Sequence, residues 1–505
     1  MFEIADILNI LTSKRIKKIE LLNDVVTGDK QSYYYKLYKG ISSGRIKTDK
    51  QAASYLYHAD PSDLRYQKLK SRLKKKILVS LFFLNTADST GGDKLANTAY
   101  ECTKEMALVD ILLLYNVESA AIKMTRKLLN TAMPLELLPI IIKTSIILSE
   151  HAALDGNKDE FELFNAIHYK FSALARAKYN VNQQFLLLNL LKNDKKSIEP
   201  DFQLIFEQSM IEADGKNGEF LSPGLEFSTI KCRILYYQML KQYDEVLLLS
   251  ARAIDITVKE VSLDKKELPS LVIQHIHACL LAMDIKSALK AAKNYFPHFQ
   301  TASKRSIQFL EYYFLLSLQA ENYPLAVNIF ESALFNPGYK VLEENKKQLW
   351  SIFYAYLLYT LEMNQEGDLI SRTRQFPIDL EAFLQKDLLF DKKKRGINSA
   401  TLIIQFLFLL KNKQLNELPE KLDQLKQYTT RYLIEGENFR SNCFIKMLEL
   451  MVKKSYDYPN TTRINEKYYR RLDRTAISYD HPENELEVIP YEVLWNFVLT
   501  RLEDL

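Results

Sequence analysis

Hydrophobic residues recur at helical spacing along most of the chain, and three successive segments repeat one arrangement. In each segment an apolar stretch ends at a short polar break, and a second stretch with apolar residues every three to four positions follows within a few residues. The segments cover residues 234–254, 276–296 and 310–334. The pattern predicts three pairs of helices that repeat at intervals of about 40 residues.

Each predicted pair carries equivalent residues near the start of its second helix. A pair of this kind cannot bury its apolar side alone, so each pair must pack against its neighbours. The repeat therefore predicts an all-α protein, an α-solenoid of stacked antiparallel helix hairpins. The equivalent positions are Tyr243, Ile285 and Tyr323, followed three residues later by Val246, Ala288 and Ala326.

The same spacing predicts further helices on both sides of the repeated pairs. Between residues 194 and 223 we expect an irregular join that contains one short helix, and residues 485–490 are the one run typical of a strand. The end of an array needs atypical units to cover its exposed side. The predicted segments are a basic helical region at 1–90, a first block of helix pairs at 91–224, the repeated pairs at 225–435 and a helical cap at 436–505.

The helix pairs between residues 228 and 334 resemble tetratricopeptide-type repeats. The likeness lies in an aromatic or aliphatic residue placed three positions before a small one at the start of the second helix, as in Tyr323 and Ala326. It covers roughly a fifth of the chain. This resemblance implies that the array binds a protein or peptide partner on its concave face, and it implies no catalytic chemistry.

The composition fits long helices joined by short connections. Hydrophobic residues make up 47% and charged residues 26% of the chain, and only 13 of 505 residues are Gly. The longest uncharged apolar run, at 400–410, is too short to span a membrane, so we expect a cytoplasmic protein. The four Cys residues form no CxxC pair, which favours buried, reduced thiols.

The charge is distributed unevenly. The net charge is +5, yet residues 13–76 hold 17 Lys and Arg against 6 Asp and Glu, so the remaining chain is acidic. Within this region one predicted helix has a buried stripe of Leu69, Leu73 and Ile77 and a row of cations on another face. The cations are Arg65, Lys68, Arg72, Lys75 and Lys76.

Residues 44–77 also resemble the two core helices of a helix-turn-helix module. Thr48 and Gln51 form a capping-box pattern, so 48–57 would be the support helix and 62–77 the recognition helix. The resemblance implies that the five cations bind nucleic acid. Two alternatives remain for the cationic row: a solvated helix face, or a site for an acidic protein. Tyr33, Tyr34, Tyr35 and Tyr38 either stack on bases or pack the N-terminal core.

The sequence contains no catalytic motif that we can identify. It lacks the HExxH, GxxxxGK[ST], GxSxG and GxGxxG patterns. His275 and His277 are two residues apart on a predicted helix, so their side chains point to different faces and cannot share an ion. We therefore expect no catalytic residue, no cofactor and no metal. The expected function is a scaffold or adaptor for a protein partner, and the alternative is a nucleic-acid-binding regulator.

Overall fold

The described parts of the chain are helical. The computed structural model describes residue 4 and residues 32–81, 94–194, 198–282, 284–299, 303–385, 395–432, 438–475, 477 and 486–504. Within these ranges the secondary structure consists of α-helices and short 3₁₀ turns, with no strand. The prediction of an all-α protein is confirmed.

The chain divides into two compact units. One consists of Met1–Ala175 together with Val261–Asp264, and the other of Arg176–Glu260 together with Lys265–Leu505. The division into four segments that the sequence suggests stays a prediction.

Three helices form the basic N-terminal part of the first unit. Helix α1 covers Tyr33–Ser42, α2 covers Asp49–Tyr57 and α3 covers Leu64–Leu81. Thr48 caps α2 with the predicted capping box, in which its side chain accepts from the Gln51 amide and the Gln51 side chain accepts from the Thr48 amide. The three helices enclose one core, formed by Ile4, Leu37, Ile41, Ile46, Ala52, Ala53, Leu56, Tyr66, Leu69, Leu73 and Ile77.

Four further helices follow, and the first three pack against one another. Helix α4 packs against α5 and α6, and α5 packs against α6. Cys102, Met106 and Val109 of α4 meet Ala121 and Leu128 of α5 in a separate core. The helices are α4 at Lys94–Leu114, α5 at Glu118–Ala132, α6 at Leu138–Leu154 and α7 at Lys158–Asn193.

In the second unit, consecutive helices contact one another from α8 to α14. The residues that the sequence placed near the start of each second helix are the first residues of α10, α12 and α14: Tyr243, Ile285 and Tyr323. The helices are α8 at Pro200–Phe220, α9 at Pro223–Met239, α10 at Tyr243–Lys259, α11 at Leu268–Leu281, α12 at Ile285–Tyr295, α13 at Lys304–Gln319 and α14 at Tyr323–Phe335.

Among the C-terminal helices, α16 packs against α14, α17, α18 and α19, and consecutive helices contact one another again from α19 to α23. The last helix packs against α19, α21 and α22, so it covers helices from more than one pair. The helices are α15 at Pro337–Lys340, α16 at Glu344–Met363, α17 at Gly367–Thr373, α18 at Leu380–Leu384, α19 at Arg395–Lys411, α20 at Leu418–Tyr432, α21 at Phe439–Lys453, α22 at Tyr458–Asp473 and α23 at Tyr491–Glu503.

One turn recurs between paired helices. In each case three residues link the helices, and the middle residue adopts the left-handed conformation with φ between 52° and 69°. The amide of the third residue donates to the carbonyl five residues earlier over 2.9–3.0 Å, as Gln242 does to Tyr237. This bond satisfies a carbonyl that the end of the helix would leave unpaired. The middle residues are Asn116, Gly156, Lys241, Glu321 and Gln365.

Because four of these five positions are not Gly, the turn holds residues that disfavour its backbone conformation. A left-handed conformation costs about 1–2 kcal/mol for a residue with a Cβ. The neighbouring bonds offset this cost, and in two turns the third residue also caps the next helix. Asn157 Oδ1 accepts from the Glu160 amide at 3.2 Å and Asn322 Oδ1 from the Leu325 amide at 3.2 Å.

Two local predictions are wrong. The expected irregular join is largely the helix α8, which continues through Gly215 and Gly218. Glycine weakens a helix without preventing it, and the Arg233–Asp214 ion pair at 2.5 Å joins this part of α8 to α9. The strand-like run is not a strand over residues 486–490, because no described segment pairs with it. Its side chains Leu486, Val488 and Ile489 are instead buried in the C-terminal core.

A buried arginine connects the C-terminal elements. Arg440 of α21 donates to both carboxylate oxygens of Glu487, at 2.7 and 2.8 Å, and to those of Glu492, at 2.6 and 2.9 Å. Its Nη1 group donates to the carbonyl oxygens of Leu472 and Thr475. One guanidinium thus joins α21, the end of α22, the segment before α23 and α23 itself.

Burial opposes the charged forms in this cluster, yet the two partners respond differently. Burial raises the pKa of the Glu487 carboxyl to about 7, although Arg440 favours its ionised form. Burial also opposes the charge on Arg440, but the hydrogen bonds and charges of the two glutamates outweigh it and raise the pKa of the guanidinium. We infer that Arg440 stays charged while Glu487 gains and loses a proton near neutral pH.

A pair of glycine substitutions tests the turn. A Cβ at Gly156 or at Gly215 would meet no neighbouring atom within 4 Å, so only the backbone conformation differs between them. We predict that Gly156→Ala, at φ 69°, destabilises its unit by about 1 kcal/mol, and that Gly215→Ala, inside α8, stabilises its unit by up to about 1 kcal/mol. Scanning calorimetry measures both, and shifts of the same sign would contradict the assigned turn.

The second prediction concerns pH. The folded chain keeps the Glu487 proton up to a pKa of about 7, whereas the unfolded chain loses it near 4.5, so this proton stabilises the fold at low pH and is lost as pH rises. Glu487→Gln keeps the group neutral throughout. From about pH 5 to about pH 8, the free energy of unfolding should fall more in the natural protein than in Glu487→Gln.

Thermal unfolding across that pH range measures the difference. The control Glu381→Gln, at an exposed carboxylate, should keep the pH dependence of the natural protein. An unchanged pH dependence in Glu487→Gln would show that the buried carboxyl does not titrate as inferred.

Candidate functional site

The N-terminal helices carry a strong positive charge. Residues 32–81 contain twelve Lys and Arg but only three acidic residues, all Asp. The buried residues Leu69, Leu73 and Ile77 hold one side of α3 in the core, so the cations of this helix lie on its other sides.

The structure separates the five predicted cations into two groups. Arg65 is held locally, because its Nη2 lies 2.8 Å from Asp63 Oδ2 and its guanidinium lies over the Tyr57 ring. Lys76 is half-buried, with its Nζ 5.6 Å from the centre of the Tyr34 ring. The other three are exposed and form no ion pair with any residue that the structure describes. These three, Lys68, Arg72 and Lys75, are the basic face.

Two of the three acidic side chains among residues 32–81, Asp49 and Asp63, are already paired with cations outside the basic face. Lys70 Nζ lies 2.6 Å from Asp49 Oδ1, which also accepts from the Tyr66 hydroxyl. Hydrogen bonds from Arg65 lower the pKa of Asp63 to about 2, so that this carboxylate remains ionised and paired. The basic face therefore keeps its charge for an external anion.

The tyrosines offer little surface for base stacking. The rings of Tyr33 and Tyr57 stack at 4.8 Å, with Lys36 over Tyr33 at 5.7 Å and Arg65 over Tyr57 at 5.2 Å. Each of these two rings is therefore covered by a cation as well as by the other ring. Tyr34 and Tyr38 pack against the three-helix core, and Tyr35 is half-buried. Of the two predicted roles, the geometry favours core packing.

An apolar face on α4 is a second candidate site, which the sequence analysis overlooked. Leu108, Ile111 and Tyr115 lie at positions i, i+3 and i+7, and their side chains are 49%, 50% and 72% exposed. We call these three residues the apolar face. The opposite side of α4 packs in the core through Met106 and Val109. A helix that is apolar on two sides ordinarily has both sides covered.

Exposed apolar side chains concentrate in this part of the chain. Of the 30 large hydrophobic residues that are exposed in the described ranges, 18 lie between residues 108 and 221. Ten of these 18 lie in the first unit. Scattered exposed hydrophobic residues are common, so the candidate surface is limited to those on one helix face, Leu108, Ile111 and Tyr115. In the sequence, the apolar residues on both sides of α4 have the spacing of a single broad core face. Only the structure shows that one side is buried and the other exposed.

Two ion pairs hold the apolar face in position. Lys127 of α5 lies 3.2 Å from Glu105, and Lys143 of α6 lies 2.6 Å from Asp110. These pairs join α4 to its neighbours on both sides and leave no unpaired charge at Glu105 or Asp110. The face is consequently presented by three mutually packed helices.

The histidines near the repeated pairs contact different helices. His275 Nδ1 lies 2.9 Å from Ser250 Oγ of α10, and its Nε2 lies 3.9 Å from Cys279 Sγ. The His277 ring instead lies 5.2 Å from the Tyr312 ring of α13. Ser250 and Cys279 are buried, His275 is half-buried and burial lowers its pKa, and this trio joins α10 to α11.

The described residues contain no group of three or more His, Cys, Asp or Glu side chains arranged to hold a metal ion. None of their helices has the length and apolar character needed to cross a membrane. Comparisons with protein-family models, curated proteins and solved structures find no match to this chain.

The buried thiols give a prediction for this region. All four Cys residues are free and buried, and burial raises the pKa of Cys232 and of Cys279 to about 12. The reactive form of a thiol is the thiolate, so the folded protein should react slowly with a disulfide reagent at mildly alkaline pH. A Ser71→Cys variant, exposed on α3, supplies a rapidly reacting control. Rapid reaction of the natural chain would contradict this description.

Proposed function

We propose that this protein is a non-catalytic scaffold that binds a protein partner. In this proposal the helix pairs stack as a tetratricopeptide-like α-solenoid of antiparallel hairpins. The recurring left-handed turn supports the stacking, because it joins paired helices in one way along both units.

The apolar face of α4 carries the proposal. An exposed row of Leu108, Ile111 and Tyr115 extends about 10 Å along the helix, which is the length of about two turns of a partner helix. Helices pack by fitting such rows into the grooves of another helix. The partner that this face fits is an amphipathic helix of a second protein, bound through its apolar side.

The surroundings of the face also favour a protein over a small molecule. A small ligand binds in a concave pocket that covers most of its surface. The apolar face lies on the outside of α4, and its nearby charges are paired as Lys127–Glu105 and Lys143–Asp110. An apolar centre with polar, neutralised surroundings is typical of a protein interface.

Affinity capture from the native cell tests the proposal with matched variants. Leu108→Ser with Ile111→Ser removes the apolar contact, whereas Leu248→Ser with Val258→Ser makes the same change at exposed residues of α10. We predict that one discrete partner is retained by the natural protein and by the α10 variant, and falls at least about tenfold in the α4 variant. Each variant should change stability by no more than about 0.5 kcal/mol per exposed site.

Three results would contradict the proposal. The first is an equal loss of the partner in both variants, and the second is no retained partner at all. The third is a dimer of the purified chain that the α4 substitutions dissociate, observed by sedimentation velocity, since this would assign the face to a second copy.

A further inference from the structure

We propose that the basic face of α3 binds the phosphodiester backbone of nucleic acid. This proposal is independent of the scaffold function, because it concerns different residues in a different core. It rests on three exposed cations at fixed spacing, on the mutual covering of the Tyr33 and Tyr57 rings and on the polar character of the residues beside the cations.

The spacing of the cations fits a regular row of anions. Lys68, Arg72 and Lys75 lie at positions i, i+4 and i+7, so they share one side of the helix over about 10 Å. Phosphates along one strand of duplex DNA repeat at about 3.4 Å of axial rise, and a row of this length spans several of them. The core residues Leu69 and Leu73 fix the helix that carries the row.

The charges on the face are available to a ligand. Arg65 and Lys70 bind Asp63 and Asp49, whereas the three cations of the basic face have no ion-pair partner among the described residues. Binding of a phosphate to them breaks no ion pair that the described residues form. The release of counterions from the nucleic acid then supplies the binding free energy.

The face contacts the backbone and not the bases. Base stacking requires an open aromatic ring face, but Tyr33 and Tyr57 cover each other and are covered further by Lys36 and Arg65. The exposed Tyr55 belongs to α2 and not to the helix that carries the cations. The expected binding is thus insensitive to base sequence, and it is no tighter for an unpaired strand than for a duplex.

The surface around the face favours nucleic acid over an acidic protein. The exposed residues of α3 beside these cations, Gln67 and Ser71, are polar, and the exposed apolar residues Leu64, Leu78 and Val79 lie only at the two ends of the row. A protein interface has an apolar centre, whereas contacts with a nucleic-acid backbone are polar and strongly cationic. The basic face has the polar, cationic character of a contact with a nucleic-acid backbone.

The experiment measures fluorescence anisotropy of labelled duplexes with the full-length protein. The test variant changes Lys68, Arg72 and Lys75 to Glu. The control variant changes Lys286, Lys290 and Lys293 to Glu; these residues have the same i, i+4, i+7 spacing on α12 and are also exposed. Both variants have the same net charge, and circular dichroism should show unchanged helix content in both.

We predict that the natural protein and the α12 variant bind alike, with affinity that falls steeply between about 50 mM and about 200 mM salt. The α3 variant should bind at least about tenfold more weakly at the lower salt concentration, and its logarithmic salt slope should be shallower by about 3. DNA and RNA duplexes measured in parallel identify which backbone is preferred, and tight binding of either supports the proposal.

Four results would overturn the proposal. They are no binding at low salt, an equal loss of affinity in both variants, binding of poly-aspartate as tight as that of the duplexes, and a preference for single strands that Tyr33→Ala abolishes. The third would assign the face to an acidic protein, and the fourth would return binding to the tyrosine rings.

Discussion

At the junction between paired helices, one amide donates to the carbonyl five residues earlier, and the residue between the two helices adopts a left-handed conformation. This bond ends one helix and places the start of the next only three residues later. So short a link places the start of the second helix beside the end of the first. The two helices then pack along each other in the pairs α4 with α5, α9 with α10 and α13 with α14.

The helices could be predicted because their apolar residues recur every three to four positions. The first residues of α10, α12 and α14 and the capping box at Thr48 follow directly from the sequence. The turn could not be predicted, because its left-handed residue is Gly only at Gly156, so the usual signal is missing elsewhere. The Arg440 cluster depends on residues about 50 positions apart, which no local pattern connects.

The candidate sites differ in what the sequence reveals of them. Five cations on α3 were predicted, but only their contacts show that Arg65 and Lys76 are engaged while Lys68, Arg72 and Lys75 are exposed. The apolar face of α4 was missed, because Leu108 and Ile111 have the same composition and spacing as core residues. One site suits a polyanion and the other an apolar helix, so the two need not compete for one partner.

Hydrogen exchange of the turn amides tests the central claim most directly. Val117, Asn157, Gln242, Asn322 and Glu366 each donate the recurring bond, although each lies outside the regular helix that it follows. The account predicts that their amides exchange as slowly as those within the preceding helix, because the bond must open before exchange occurs. Exchange at the rate of an unstructured loop at these five positions would contradict it.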